Sequence, residues 1–116
     1  MIVVYGLKNC DTCRKALKWL VGQEIDHQFV DVRADGPSTS QIQIWIDAVG
    51  LDVLVNRRST TWRNLGDADR QIAMSDRSAS FLLENPTLIK RPVFEIEGKI
   101  LIGFNSTVEA HLLTRK

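Results

Sequence analysis

Charge of one sign, long apolar runs and cysteine are all scarce in this sequence. Its 15 lysines and arginines are nearly balanced by 14 aspartates and glutamates, which leaves a formal net charge of +1. Such a balance does not predict direct binding of nucleic acid through its phosphates. No apolar run approaches the roughly 20 residues that a membrane-spanning helix needs, and the first residues lack the basic and apolar regions of a signal peptide. We therefore expect a cytoplasmic protein with neither a nucleic-acid nor a membrane partner.

Residues that commonly bind metals are few as well. The chain has two cysteines, Cys10 and Cys13, and two histidines, His27 and His111, which lie far apart in the sequence. A structural zinc site needs four ligands, usually from two closely spaced pairs. We therefore predict no metal site. The 116 residues suit one domain with one core, and nothing in them demands more than a monomer.

The two cysteines form a CxxC pair directly after a short apolar strand and directly before a helical pattern. A helix N-terminus presents unpaired N–H groups and the positive end of the helix dipole, and both favour a thiolate. The pKa of a free cysteine, about 8.5, can fall to roughly 3.5–7.5 in such a place. In a reducing cytosol, the pair is more typical of a working dithiol than of a structural disulfide.

The two thiols have different predicted roles. Cys10 lies in a polar turn between Asn9 and Asp11, which favours a reactive nucleophile over a small buried apolar residue. Cys13 has two interpretations, a core residue on the apolar face of the helix or a resolving thiol that attacks a mixed disulfide on Cys10. We favour the second, because a CxxC pair at a helix start can close without unwinding the helix.

The first third of the chain has the pattern of a βαβ unit. Residues 2–5 are β-rich and apolar, and residues 27–32 predict a second strand with Phe29 and Val30 at its centre. Residues 11–22 have helical spacing with Asp11 or Thr12 as candidate caps. A strand, a helix and a second strand in so short a segment predict parallel pairing with a right-handed crossover.

The rest of the chain predicts a helical insert followed by more sheet. After a turn over residues 36–40, apolar residues at 42, 45, 46 and 49 predict a helix that ends at Gly50. Further helices are predicted over residues 51–56 and 78–84, while the remainder of 60–85 has weaker patterns. Strands follow over residues 93–96 and 99–102, joined by the turn Glu97-Gly98, and Asn105 or Ser106 is predicted to cap a last helix. The expected fold is α/β, a thioredoxin-like mixed sheet in the order βαβ, helical insert, ββα.

Four segments resemble a known family in the family's order. They are residues 5–13, which contain Cys10 and Cys13, and residues 56–65, 89–92 and 102–105. On these segments the chain is similar to the arsenate reductase (ArsC)-like family of the thioredoxin superfamily, and within it to the YffB and Spx proteins. The resemblance implies a single domain over residues 1–116, with a thioredoxin-like core (1–33 and 88–116) and a helical insert (38–86).

The resemblance also implies roles for individual residues. Cys10 matches the catalytic cysteine, and Arg91 matches an arginine that helps to hold the oxyanion and the thiolate in the arsenate reductases. Arg58 matches a second functional arginine, with its neighbour Arg57 one residue away as the alternative. We count Arg57, Asn9 and Pro92 as candidate substrate-binding positions, and Pro92 matches a proline that is cis in such folds. Glycine stands at Gly103, near which the arsenate reductases have a third arginine, so we do not expect arsenate as the substrate.

Two functions follow as hypotheses. The first is a small thiol-dependent reductase without a bound cofactor, which acts on a disulfide or an oxyanion through Cys10. The resemblance implies glutathione as co-substrate, or a glutaredoxin-type reductant, for releasing the adduct. The second is a redox-sensing regulator of the Spx type, in which a Cys10–Cys13 disulfide controls binding to the α subunit of RNA polymerase. A family member that only binds a partner is a third interpretation.

Overall fold

The computed structural model describes residues 1–115, which form four strands and seven α-helices. The strands are β1 (Ile2–Gly6), β2 (His27–Asp31), β3 (Val93–Ile96) and β4 (Lys99–Ile102). The helices are α1 (Asp11–Gly22), α2 (Thr39–Val49), α3 (Leu51–Leu54), α4 (Thr60–Arg63), α5 (Asp67–Ala73), α6 (Ser78–Glu84) and α7 (Ser106–Leu113). The chain divides into a strand unit, Met1–Gly36 together with the segment from Arg91 onward, and a helical unit, Pro37–Lys90.

The strand unit is built on a mixed sheet in the order β2-β1-β3-β4. β1 pairs with β2 in parallel and with β3 antiparallel, and β3 pairs antiparallel with β4. The parallel pair is connected through α1, as the βαβ pattern of the sequence predicts. The mixed α/β fold expected from the sequence is therefore confirmed.

One face of this sheet carries the core of the strand unit. Val4 pairs with Phe94 and Ile2 with Ile96 across β1 and β3, so these four side chains share a face. Helices α1 and α7 cover that face with the buried residues Ala16, Leu20, Val108 and Leu112. The arrangement fixes α1, and with it the CxxC pair, against the end of β1.

The start of α1 differs from the sequence prediction. Asp11 or Thr12 was predicted as the cap, but the helix begins at Asp11 and Cys10 is the N-cap residue. The backbone of Cys10 is extended, with φ −96° and ψ 122°, as is usual at an N-cap. Asp11 instead forms an ion pair with Arg14 on the exposed surface. The position that usually holds a capping oxygen is thus occupied by a sulfur.

Residues at the ends of the elements determine the turn of the β3–β4 hairpin and the start of α7. Glu97 and Gly98 both have positive φ, 49° and 87°, as a two-residue turn between antiparallel strands requires. Of the two candidate caps for α7, the structure selects Asn105, whose side chain accepts a hydrogen bond from the N–H of Val108 at 2.9 Å.

The helical unit begins with a complete capping box. The hydroxyl of Ser38 accepts the N–H of Gln41, and the Gln41 side chain accepts the N–H of Ser38, which explains why α2 starts at Thr39. α2 ends before Gly50, whose φ of 85° suits a glycine. The helix predicted over residues 51–56 is shorter, because Val55 is extended and forms an isolated bridge with Ile89.

Two short helices lie where the sequence pattern is weak. The hydroxyl of Ser59 accepts the N–H of Trp62 at the start of α4, and Arg70 of α5 stacks on the Trp62 ring while donating to the carbonyl of the same residue. These polar contacts hold the segment without a strong apolar period. Within residues 1–115, no helix combines the length and apolar character needed to cross a bilayer.

Candidate active site

A tight turn at the end of β1 places Cys10 at the beginning of α1. The N–H of Cys10 donates to the carbonyl of Leu7 at 3.2 Å, and the carbonyl of Cys10 accepts the N–H of Arg14 at 2.9 Å. Lys8 and Asn9 at the tip of the turn are exposed. The sulfur of Cys10 therefore lies where the free N–H groups of the first helical turn converge.

The environment of Cys10 favours the thiolate. Partial burial raises the pKa of the Cys10 thiol, and it is the largest single influence. Three hydrogen-bond donors to the sulfur lower this pKa: the backbone N–H of Cys13, the thiol of Cys13 and the guanidinium of Arg91. The positive charge of Arg91 lowers it as well. The net result is a pKa of Cys10 below its ordinary value of 9.0. Donors that contact a charged sulfur stabilise the charged form, so these contacts favour ionisation of Cys10.

Cys13 has the opposite character. Its side chain is 0% exposed, and burial is the main reason that the pKa of its thiol is raised to about 12. The N–H of Leu7 lowers that pKa, whereas the neighbouring sulfur of Cys10 raises it. The pair therefore consists of a partly exposed sulfur whose pKa is lowered and a buried thiol whose pKa is raised. Both are free thiols in this structure.

Arg91 reaches this sulfur from the segment before β3. The residue is partly buried and is followed by Pro92, whose side chain is fully buried. The peptide bond between them is cis, as the resemblance implies. The carbonyl of Pro92 accepts the N–H of Gly103 at 2.8 Å, so the strand that follows Arg91 is anchored to the end of β4.

Gly103 occupies a position that suits glycine. It is buried, and its φ of 80° lies in the left-handed region that other residues adopt at a cost. A side chain here would have to be accommodated in a strained conformation. By the family resemblance, the third arginine of the arsenate reductases falls near this position.

The other two candidate arginines belong to the helical unit. Arg57 and Arg58 are both exposed in the segment after α3, where they line an open cleft with Asp52 and Lys90. Arg57 lies 3.4 Å from a carboxylate oxygen of Asp52, and the N–H of Arg58 donates to the side chain of Asn56 at 3.2 Å. The cleft carries more positive than negative charge, which suits an anion. The roles of these arginines stay predictions.

Gly6 contacts the buried thiol, although no motif in the sequence marks it as a site residue. A Cβ atom added at Gly6 would lie 2.6 Å from Sγ of Cys13. The signal was present in the sequence as a glycine that ends an apolar strand just before the CxxC pair, since glycine in a strand often marks a close approach. Among residues 1–115, no group of three or more metal-ligating side chains is suited to hold a metal ion.

Comparisons with known proteins give the wider context. Residues 5–110 match the model of the ArsC family. The chain is 51% identical over 105 residues to a protein of Haemophilus influenzae, covering 90% of this chain and 92% of the relative. It is 24% identical to the global transcriptional regulator Spx 2 of Bacillus anthracis, over 90% of this chain and 81% of the relative.

Two solved structures are similar over nearly the whole chain. One is a protein named YFFB, with 35% identity and a TM-score of 0.86, covering 97% of this chain and 99% of the other. The second is an arsenate reductase (ArsC) related protein from Brucella melitensis, with 34% identity and a TM-score of 0.75 over 95% and 92% of the two chains. Together with the family match and the mixed sheet, these similarities lead to one conclusion. The chain belongs to the ArsC family.

Proposed function

We propose that this protein is a small thiol-dependent reductase in which Cys10 is the nucleophile and Cys13 the resolving thiol. The observation that carries the proposal is the contrast between the two sulfurs. Cys10 is partly exposed and has a lowered pKa, whereas Cys13 is buried and has a raised one. A nucleophile must ionise and meet its substrate, while a resolving thiol needs only to meet its neighbour.

The proposed reaction on a disulfide has three steps. The Cys10 thiolate attacks one substrate sulfur, a new S–S bond forms, and the other sulfur leaves as a thiolate that takes up a proton. Cys13 then gives up its proton and attacks the Cys10 sulfur, which breaks the mixed disulfide and releases the second substrate thiol. Two external thiols, or one external dithiol, then reduce the resulting Cys10–Cys13 disulfide by two successive exchanges and leave as a disulfide themselves.

Arg91 has two roles in this scheme. Its charge stabilises the Cys10 thiolate before attack, and its planar fork of N–H groups suits a carboxylate or another anion on the substrate. For Arg57, Arg58 and Asn9, a substrate-binding role rests on the family resemblance. Glutathione fits as the external thiol on the same ground, with a glutaredoxin-type protein as the alternative reductant.

We favour a disulfide over arsenate as the substrate. The position near Gly103 has no arginine, and the φ of Gly103, 80°, is one that a residue with a side chain adopts at a cost. An arsenate site that relied on three arginines would therefore lack one of them. The likeness to an arsenate reductase related protein supports thiol chemistry in general terms.

The test uses purified protein, glutathione and two substrates, a glutathione mixed disulfide and arsenate. We expect turnover of the mixed disulfide, none above background with arsenate, and loss of turnover in Cys10→Ser. The exposed variant Arg14→Ala is the matched control near the site and is expected to keep its activity. Wild-type activity that survives in Cys10→Ser would refute the proposal.

A regulator of the Spx type is the second candidate, and a specific observation favours it. The two sulfurs act directly on each other's ionisation, which is the proximity that a disulfide switch needs, and the chain is similar to a protein named as a global transcriptional regulator. Pull-down of the α subunit of RNA polymerase by oxidised protein only, combined with absence of turnover, would support this function and exclude the reductase.

A further inference from the structure

Gly6 and Cys13 are in closer contact than any other residue at position 6 would allow. A Cβ atom built on Gly6 would lie 2.6 Å from Sγ of Cys13, whereas it would lie 3.4 Å from Cβ of Cys13 and from the ring of Phe29. The last two distances are ordinary packing contacts. The first is shorter than any van der Waals contact of carbon with sulfur, so the conflict is with the sulfur alone.

The backbone of Gly6 has little freedom to move away from this contact. It pairs with Asp31 in the parallel register of β1 and β2, and its carbonyl accepts the N–H of Val32 at 3.0 Å. Gly6 lies two residues beyond Val4, on the face of the sheet that α1 covers. A side chain at this position would therefore displace the Cys13 sulfur rather than the strand.

The opposite side of the contact is also fixed. Cys13 lies in the first turn of α1, and Ala16 on the same helix is buried in the core. The sulfur receives the N–H of Leu7 and acts on the sulfur of Cys10. The space above Gly6 thus holds the Cys13 sulfur where it interacts with the sulfur of Cys10.

We propose that Gly6 is a positioning residue, whose missing side chain creates the space in which Cys13 faces Cys10 and makes internal release of the adduct the preferred route. The inference rests on the proposed function, because it concerns how the mixed disulfide on Cys10 is resolved. With a larger residue at position 6, an external thiol would have to attack the Cys10 mixed disulfide instead. The atoms and electrons balance in either route, since both break one S–S bond, form another and release one substrate thiol.

The primary test is the equilibrium between dithiol and internal disulfide in glutathione redox buffers, trapped by acid and counted by mass spectrometry. We expect Gly6→Ala to lower the equilibrium constant for the Cys10–Cys13 disulfide about tenfold or more, the effect of forcing a packed neighbour aside. Gly22→Ala is the matched control, because among the described residues nothing lies within 4 Å of a Cβ added there. An equilibrium constant in Gly6→Ala that equals or exceeds the wild-type value would overturn the inference.

A double-mutant cycle separates this contact from a general loss of packing. Replacing Cys13 by alanine removes the sulfur, so Gly6→Ala should destabilise the wild-type background clearly and the Cys13→Ala background little. If Gly6→Ala alone does not fold, recovery of folding in Gly6→Ala/Cys13→Ala supports the contact. Equal destabilisation in both backgrounds, or failure of both to fold, contradicts it.

These measurements do not depend on turnover. If wild-type protein reduces no substrate while Gly6→Ala still weakens the internal disulfide, the reductase proposal fails and the role of Gly6 stands. If wild-type protein turns over substrate while Gly6→Ala leaves the internal disulfide unaffected, the reductase proposal stands and the role of Gly6 fails. If both proposals stand, release of the adduct from Cys10 in Gly6→Ala should depend on the concentration of added glutathione, as it should in Cys13→Ser.

Discussion

The guanidinium of Arg91 and the sulfur of Cys10 meet beside the first turn of α1, although the two residues come from opposite ends of the chain. Arg91 acts on the sulfur both as a hydrogen-bond donor and as a positive charge. Because the cysteine is the N-cap and the arginine precedes β3, the contact exists only when the sheet has formed. The effect of Arg91 on the pKa of this thiol is therefore a property of the folded strand unit.

The first prediction concerns this contact. Arg91→Ala should raise the pKa of Cys10 and slow its alkylation by iodoacetamide below pH 9.0, the ordinary value. Water reaches the sulfur and screens the pair, so we expect the rate at pH 6 to fall about threefold to tenfold. The pH profile of alkylation measures the change. Arg14→Ala removes a nearby cation that does not contact the sulfur, and a matching loss in that variant would show a general charge effect instead.

The second prediction separates attack from release. In Cys13→Ser the nucleophile is retained but the internal attacking group is lost, so a mixed disulfide on Cys10 should accumulate. Intact-mass measurement after incubation with oxidised glutathione should show one added glutathione per chain, stable until an external thiol is supplied. Wild-type protein treated in the same way should show mainly the internal disulfide. Turnover of Cys13→Ser equal to wild type at low glutathione would argue against a resolving thiol.

The third prediction is a dependence of stability on pH. In Cys10→Ser the remaining thiol is Cys13, whose pKa is raised to about 12, chiefly by burial that this variant retains. A raised folded-state pKa means that the unfolded chain loses the proton first, so stability falls as pH rises above the ordinary value of 9.0. The loss of stability approaches about 1.4 kcal/mol per pH unit at pH values between the ordinary pKa and the raised pKa that burial maintains in the variant.

Urea unfolding of Cys10→Ser and of Cys10→Ser/Cys13→Ala isolates this contribution, because every other titrating group is common to the two proteins. Cys10 itself should act in the opposite sense. Its pKa is lowered, so its contribution to stability is present above the ordinary pKa and is lost as pH falls through the folded-state value. Parallel curves for the two variants above pH 9.0 would contradict the raised pKa of Cys13.

The fourth prediction concerns the cap of α7. Asn105→Ala removes the acceptor of the Val108 N–H and should lower the free energy of unfolding by about 1 kcal/mol. Ser106→Ala, at the first helical residue, should change it by less than about 0.5 kcal/mol. Chemical denaturation of both variants checks the pair, and the reverse order would mean that the helix begins one residue later.

The strands and the first helix were predictable because their patterns are local. The apolar run that starts at Ile2, the helical period up to Gly22 and the turn Glu97-Gly98 each carry enough signal alone. The cap of α1 was not predictable in the same way. An aspartate and a threonine are better caps than a cysteine by general preference, and only the turn at Leu7 moves the helix start to place sulfur at that position.

Long-range contacts account for most of what sequence reasoning left open. Nothing local to Arg91 predicts a contact with Cys10, and the family resemblance supplied that pair. The closeness of Gly6 to Cys13 depends on how α1 packs over β1, which no periodicity reveals. In the middle of the chain, Trp62 and Arg70 hold two short helices through a stacking contact and backbone hydrogen bonds, which a hydrophobic pattern does not register.

The complete burial of Cys13 has a practical consequence for anyone who counts thiols in this protein. A bulky maleimide, whose thioether bond Cys13 cannot displace, should modify one thiol of the native reduced chain at once, and the second thiol should react only as fast as α1 separates from the sheet. The rate at which Cys13 becomes modified would thus report how often the strand unit opens.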